Sequence, residues 1–180
     1  FREAQQAPIV AGRVENKNNY DCGTNGGNDT EDRIFLLSED ELYRSWLAWH
    51  YGFVAAPNSG SPEDIKLARD MEDEGRRAQG STYSKAKGLW CNHEKGFEGN
   101  SMWWMRSPGQ FEWNAAFVCN RGFIRYFGTR VEAADVGVRP AMVLNMDEAD
   151  WTYGGTAIGQ SGGTETAPPA PDVFGDEVLE

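Results

Sequence analysis

The chain has 180 residues, of which 39% are hydrophobic and 25% charged, and its formal net charge is −11 at pH 7. This length suits one domain with a core, and no apolar run approaches the roughly 20 residues that span a bilayer. The acidic balance argues against general nucleic-acid binding, which requires a basic surface. Three cysteines, Cys22, Cys91 and Cys119, are too few for a disulfide framework.

The segment from Val14 to Asp32 is rich in Asn, Gly, Asp and Thr and has no apolar period. This composition predicts a surface loop. The short aromatic and aliphatic run Arg33–Leu37 follows the loop and predicts a strand.

A helix is predicted to begin at Ser38, which stands three residues before Glu41 in the capping-box pattern. Gly52 is its predicted end, because glycine readily adopts the left-handed conformation that closes helices. The apolar residues at helical spacing, which mark its buried face, are Leu42, Trp46 and Trp49.

A second helix is predicted from Ser61, an N-cap residue followed by Pro62 at the first helical position. Its apolar stripe is narrow and consists of Ile65, Ala68 and Met71. We therefore expect a peripheral helix.

Strands are predicted late in the chain, at Ala115–Cys119, Gly122–Phe127 and Gly137–Met146. Pro140 lacks an amide hydrogen, so the last strand needs an edge or an irregularity there. Residues 154–180 are rich in Gly, Pro and Thr, lack Lys and Arg, and predict a flexible acidic tail. The predicted domain is therefore residues 1–153.

Side chains alternate between the two faces of a strand. Ala116 and Val118 therefore share one face of the first of these strands, and Ile124 and Tyr126 share the corresponding face of the second. These look like core positions. The opposite face then carries the following residues: Phe117, Cys119, Phe123, Arg125 and Phe127.

Two interpretations of that opposite face remain open. The first is a sandwich interior, in which the phenylalanines are core residues. The second is an exposed recognition surface, because rings and arginines give large contact areas for little lost entropy. Arg125, between Phe123 and Phe127, favours the second, since a fully buried arginine needs a paired acid.

Four stretches resemble, in order, the landmarks of the DUF6273-type domain. They are "DRIFLLSEDEL", "WWMRSPG", "AAFVCNRG" and "GVRPAM", and the resemblance runs from about Asp32 to Met146. It implies an α+β, C-type lectin-like fold of the kind found in formylglycine-generating enzymes, with two early helices, a short late antiparallel sheet and long irregular loops. "FREAQQAPI" is similar to a helix end of the family, which implies that earlier strands lie outside this sequence.

The resemblance also implies a function. Many such domains are variable proteins of diversity-generating retroelements, in which adenines in selected codons are randomised and surface residues change while framework residues do not. The variable region would be about residues 104–146. On this basis the chain displays a diversified surface to a macromolecular ligand.

An Asn codon with both adenines randomised and a pyrimidine in third place cannot encode Trp, Gln, Lys, Met or Glu. The framework residues of this region are taken to be Ala115, Ala116, Val118, Gly122, Ile124, Gly128, Val131 and "GVRPA". Twelve residues between them are of types that such a codon can encode: Phe117, Cys119, Asn120, Arg121, Phe123, Arg125, Tyr126, Phe127, Thr129, Arg130, Ala134 and Asp135. Glu132 and the preceding Gln110, Glu112 and Trp113 do not fit, so they are either fixed or varied through other codons. Cys119 then reads as a chance product of diversification rather than a redox group. The predicted ligand-binding residues are Trp113, Phe117, Cys119, Asn120, Arg121, Phe123, Arg125, Phe127, Thr129, Arg130 and Asp135.

No cofactor, metal or catalytic group is predicted. Cys91 and His93 lack the further ligands of a zinc site, and His50 has no nucleophilic partner nearby in sequence. The proline loop of calcium-dependent lectins is missing, and Trp103 and Trp104 are interpreted as packing residues rather than a sugar platform.

The expected partner is a protein or cell-surface ligand, with acidic groups favoured by Arg121, Arg125 and Arg130, and neither nucleic acid nor membrane insertion is expected. The resemblance favours the cell surface or a phage virion as the location. Two alternatives stay open: an oxidase similar to formylglycine-generating enzymes, which lacks its late cysteine pair here, and a structural module that does not vary.

Overall fold

The computed structural model of the chain describes residues 8–43, 48, 51–53, 61–145 and 147. These residues form a mixed α/β fold with short helices and small antiparallel sheets. The described helices are α1 (Glu39–Tyr43), α2 (Pro62–Asp70) and α3 (Thr82–Ala86), with a 3-10 turn at Glu74–Arg76. Each of these helices is too short and too polar to cross a bilayer.

Strands in the described residues pair into four antiparallel sheets. The largest has the order β5–β6–β7, and the others are the pairs β1–β9, β2–β3 and β4–β8. The strands are β1 (Ile9–Val10), β2 (Gly12–Val14), β3 (Thr30–Asp32), β4 (Phe35–Leu36), β5 (Trp103–Pro108), β6 (Asn114–Val118), β7 (Ile124–Arg130), β8 (Pro140–Ala141) and β9 (Val143–Leu144).

The two predicted helix starts are confirmed. The Ser38 amide donates to Glu41 Oε2 at 2.7 Å, and the Ser38 hydroxyl accepts from the Glu41 amide at 3.4 Å, as a capping box requires. The Ser61 hydroxyl accepts from the Asp64 amide at 3.1 Å. Gly52 has φ +77°, and the Phe53 amide beyond it donates to the Ala48 carbonyl at 2.9 Å, which fits a helix end there.

The core lies between α1, α2 and the inward face of the β5–β6–β7 sheet. The strands contribute every second residue to it, because side chains alternate. Its buried members are Leu37, Leu42, Tyr43, Ala48, Phe53, Ile65, Ala68, Trp103, Met105, Ala116, Val118 and Ile124.

The segments "RSPG" and "GVRPA" are joined to this core. The Ser107 hydroxyl accepts from the Glu39 amide at 2.9 Å, which fixes the start of α1 against β5. The Trp104 amide donates to the Gly137 carbonyl at 2.9 Å. Arg139 lies over the Trp103 ring at 5.2 Å, and burial lowers the pKa of its guanidinium. Both segments are therefore framework.

The predicted surface loop from Val14 to Asp32 is confirmed for residues 15–29, most of which are exposed and outside helices and strands, but it differs at its ends and at Asn19. Its two ends pair as the strands β2 and β3, and Asn19 inside it is buried. The Asn19 side-chain amide donates to the carbonyls of Pro108 (2.8 Å) and Tyr126 (2.9 Å). Composition gave no signal for this anchor, because its partners are about a hundred residues away in sequence.

The late strands also have different boundaries from those predicted. β7 begins at Ile124 rather than Gly122, because Gly122 occupies a turn with φ +90°. The run Gly137–Met146 contains two separate two-residue strands, and Pro140 lies in β8, which pairs only with β4. Trp46, Trp49, His50 and the predicted tail 154–180 lie outside the described residues.

Candidate ligand-binding face

A row of four side chains runs across the outward face of the β5–β6–β7 sheet. Trp104 is opposite Phe117 in the register, and Phe117 is opposite Arg125. The Trp104 and Phe117 rings meet edge to face at 6.3 Å, and the Arg125 guanidinium lies 5.8 Å from the Phe123 ring. We call Trp104, Phe117, Phe123 and Arg125 the outward row. None of the four is buried.

The inward neighbours of this row are sealed. Trp103, Ala116, Val118 and Ile124 are all at most 2% exposed. The residues under the outward row are close-packed, and they stabilise the backbone that carries the row. The rings of the row are not needed for that stability.

The turn between β6 and β7 is clamped onto the body of the domain. The Cys119 amide donates to the Phe123 carbonyl at 2.9 Å, and the Gly122 amide donates back to the Cys119 carbonyl at the same distance. A Cβ on Gly122 would lie 2.2 Å from the Asp73 carbonyl oxygen. Only glycine fits that contact, so Phe123 is held at a fixed position.

Arg121, predicted to bind a ligand, is already engaged within the chain. Its Nη2 donates to both carboxylate oxygens of Glu94, at 2.7 and 2.6 Å, and this pair raises the pKa of Arg121. Its guanidinium also lies 4.8 Å from the Phe97 ring, whose other contact is Arg77 at 4.9 Å. The positive charge of Arg121 is therefore largely neutralised by the carboxylate of Glu94.

Arg125 differs from Arg121 because it forms no ion pair within the described part of the chain. It is exposed, and its recorded contact is the Phe123 ring. Arg130, the third predicted arginine, pairs with Glu132 at 3.2 Å, with both side chains about 70% exposed. Such exposed pairs contribute little. The outward row therefore combines apolar rings with one guanidinium that forms no ion pair with any residue that the structure describes.

Phe127 is separated from the outward row by a bulge. Between the pairs Ala115–Thr129 and Phe117–Arg125, β7 has two more residues than β6. Phe127 is 50% exposed and its ring meets that of Tyr126 at 4.1 Å. Tyr126, predicted to face the core, is half-buried under the Arg69 guanidinium at 3.8 Å. The two extra residues shift the register of β7 against β6, so Phe127 is not paired with a residue of β6, although it is exposed as predicted.

Trp113 lies at a different place, in the turn between β5 and β6. It is 57% exposed and stacks on Phe111, with ring centroids 5.0 Å apart and an interplanar angle of 14°. The Trp113 carbonyl accepts from the Val131 amide at 3.1 Å, so this turn lies beside the end of β7. Among the described residues, no ring contact joins the Phe111–Trp113 pair to the outward row.

The remaining predicted site residues differ from one another in their exposure to solvent. Asp135 is exposed, and Asn120 and Thr129 are half-buried. Cys119 is only 7% exposed, which corrects its assignment to the outward face. The reason is that β6 ends at Val118, so Cys119 no longer follows the strand alternation and turns inward with the loop.

Sequence reasoning missed three contributors. Trp104 was grouped with Trp103 as packing, although consecutive strand residues point to opposite faces and this alone separates them. Phe111 and the Glu94–Phe97 contacts on Arg121 were not singled out. The pairing of Glu94 with Arg121 spans 27 positions, and no local pattern predicts it.

The cysteines are all unpaired. Cys91 Sγ lies 3.1 Å from the Ser101 hydroxyl, and His93 is exposed. Over the described residues, no group of three or more His, Cys, Asp and Glu side chains has the geometry of a metal site.

A family described as "Domain of unknown function (DUF6273)" matches residues 1–146 of the sequence. The chain belongs to the DUF6273 family. No curated protein and no solved structure matches it. The DUF6273 match covers every residue of the outward row and the two framework segments that support it.

Proposed function

We propose that this DUF6273 domain is a ligand-binding variable protein whose outward row recognises a macromolecular ligand, by preference a protein. The observation that carries the proposal is the contrast within one sheet. Trp104, Phe117 and Phe123 remain partly open to solvent, while the framework beneath them is sealed. Apolar rings on a rigid surface are the usual core of a protein interface.

The energetics favour binding over folding as the use of these rings. Full burial of a Phe side chain contributes about 1.5–3 kcal/mol, and a half-buried ring has part of that contribution still to gain. Binding would cost little entropy, because the edge-to-face contact of Trp104 with Phe117 already restrains both rings. Arg125, which forms no ion pair with any described residue, would favour a carboxylate in the partner.

The proposal extends to a C-type lectin-like fold and to diversification by a retroelement. Its support is the division between framework and variable positions. Of the residues expected to be constant, Ala116, Val118, Gly122 and Ile124 are buried, whereas Ala115 and Gly128 are half-buried and Val131 is exposed. Most of the intervening residues expected to vary are exposed or half-buried, and Cys119 is the exception.

The proposed role is recognition without catalysis, at a cell surface or on a virion. It needs no metal or cofactor. The row offers rings and a guanidinium, which bind by contact area and charge rather than by bond making.

The binding proposal is tested by capture with a matched pair of variants. The whole chain is immobilised as wild type, as the triple variant Phe117→Ala/Phe123→Ala/Arg125→Ala, and as the control Leu67→Ala/Tyr83→Ala, which removes exposed side chains from α2 and α3. Extracts of candidate host cells are passed over each. We expect a component that wild type and control retain and the triple variant loses more than tenfold, with unchanged circular dichroism.

Equal retention by the triple variant would refute the binding face. A triple variant that unfolds would instead show that the rings belong to the core.

The retroelement proposal has a separate test in DNA. We expect a near-repeat of the codons for residues 104–146 near the gene, differing at adenines and accompanied by a reverse transcriptase gene. Closely related copies of the gene that vary evenly across inward and outward positions would contradict it.

A further inference from the structure

The last nine residues of the sequence differ in character from the segment before them. Residues 154–171 are mostly Gly, Thr, Ala and Pro, with one acid. The segment "DVFGDEVLE", residues 172–180, then combines four acidic residues with Val173, Phe174, Val178 and Leu179. No Lys or Arg follows Arg139, so these acids have no basic neighbour in sequence.

The outward row has the complementary chemistry. It presents partly open rings, from Trp104 to Phe123, around Arg125, which has no ion pair among the described residues. An acidic peptide with apolar side chains can bury them on such rings and bring a carboxylate to the guanidinium. Residues 172–180 are such a peptide, on the same chain.

The length of chain between the two parts allows this contact. The structure describes residues 61–145 without a break, and 26 residues, 146–171, separate Asn145 from Asp172. A segment of that length can span at most about 86–94 Å. A domain of this size has a radius of gyration of about 15 Å, so the span is enough to reach either face.

A tether of this kind also raises the local concentration of the peptide to the millimolar range. Even a contact with a Kd of about 1 mM would then be populated roughly half of the time. The weak affinity expected of a nine-residue peptide is therefore sufficient.

We propose that residues 172–180 dock on the outward row of their own chain and compete there with the external ligand. The competition rests on the proposed function, whereas the docking itself does not. The docked segment would cover the partly exposed rings until a ligand of higher affinity displaces it.

Docking is tested on the whole ¹⁵N-labelled chain. Wild type is compared with Phe174→Ala/Leu179→Ala, and the control is Thr164→Ala/Thr166→Ala, which changes the linker but neither the acids nor the apolar residues. We expect amide shift differences at Phe117, Phe123 and Arg125 for the first variant alone. They should not depend on protein concentration, and 1 M NaCl should reduce them at least twofold.

A synthetic peptide of residues 172–180, added at millimolar concentration to Phe174→Ala/Leu179→Ala, should restore the wild-type shifts, and a reordered peptide of the same composition should not. Unchanged amides, or changes only away from β6 and β7, would overturn the docking. Shifts that disappear on dilution would also overturn it, because they would indicate contact with a second copy.

The outcome is separable from that of the capture experiment. If docking holds but the triple variant captures its partner as wild type does, the proposed function fails and the docking stands. If capture depends on the row but the amides do not shift, only the docking fails.

Discussion

The two faces of the β5–β6–β7 sheet use neighbouring residues in opposite ways. Trp103 is 2% exposed, and its indole nitrogen donates to the Arg76 carbonyl at 2.9 Å, whereas Trp104, the next residue, lies half-buried in the outward row. Val118 and Phe117 show the same division. One strand can therefore supply folding stability with one set of side chains and leave the other set available for recognition.

This separation explains how a surface could vary without loss of the fold. The contacts that hold the β6–β7 turn are made by backbone atoms and by glycine, as between Gly122 and Asp73. Such contacts do not depend on which side chains stand at Phe117 or Arg125. Three measurements of stability and one of a pKa test this difference between the two faces.

The largest effect is expected from Trp103→Ala compared with Trp104→Ala. Loss of the buried ring and of its hydrogen bond to Arg76 should lower the free energy of unfolding by about 3–5 kcal/mol. Trp104→Ala should cost about 1 kcal/mol, because that ring is only half-buried. Urea unfolding followed by circular dichroism measures both. Equal losses would show that the outward face is as structural as the inward one.

The next effect concerns the turn under Phe123. Gly122→Ala and Gly88→Ala both place a Cβ at positive φ, but only at Gly122 does it meet an atom, the Asp73 carbonyl oxygen. We expect Gly122→Ala to be more destabilising than Gly88→Ala by about 1–3 kcal/mol. Thermal unfolding of the two variants compares them directly. A smaller difference would mean that the turn can move away from Asp73.

A smaller effect is expected behind the inward face, at the start of α2. Ser61→Ala removes the hydroxyl that accepts from the Asp64 amide and should cost about 1 kcal/mol. Ser61→Asp keeps an acceptor at the same position and should restore most of that stability. Chemical unfolding of both variants is the measurement. Identical losses for both would indicate that the capping bond is not what stabilises α2.

The smallest effect is expected at the surface, beside the strand pair β2–β3, which is separate from the buried face of the β5–β6–β7 sheet. The hydrogen bond from Arg13, followed by that from the Asn16 amide, lowers the pKa of Asp29 below its ordinary value. A carboxyl with a lowered pKa stabilises the fold above its unfolded-state pKa, and this stabilisation disappears as pH falls through the folded-state pKa. An NMR titration should show the Asp29 pKa rising in Arg13→Ala. An unchanged pKa would contradict the pairing.

Local patterns predicted the parts of the fold that depend on nearby residues. The capping box at Ser38 and the N-cap at Ser61 involve atoms within a few positions of one another, and the strand near Ala115–Cys119 is indicated by its own alternating residues. The alternation of β6 also indicated correctly that Ala116 and Val118 are buried. The alternation of β7 likewise indicated correctly that Phe127 is exposed, whereas Tyr126, predicted to face the core, is only half-buried.

The helix starts, the inward-facing residues of the central strands and the membership of the DUF6273 family could be predicted from the sequence alone, because each depends on local spacing or on ordered motifs. Three features could be seen only in the folded chain: Arg121 pairs with Glu94 while Arg125 does not, Asn19 is an anchor, and Cys119 is buried. Those contacts join residues far apart in the chain, and their geometry exists only once the segments have packed together.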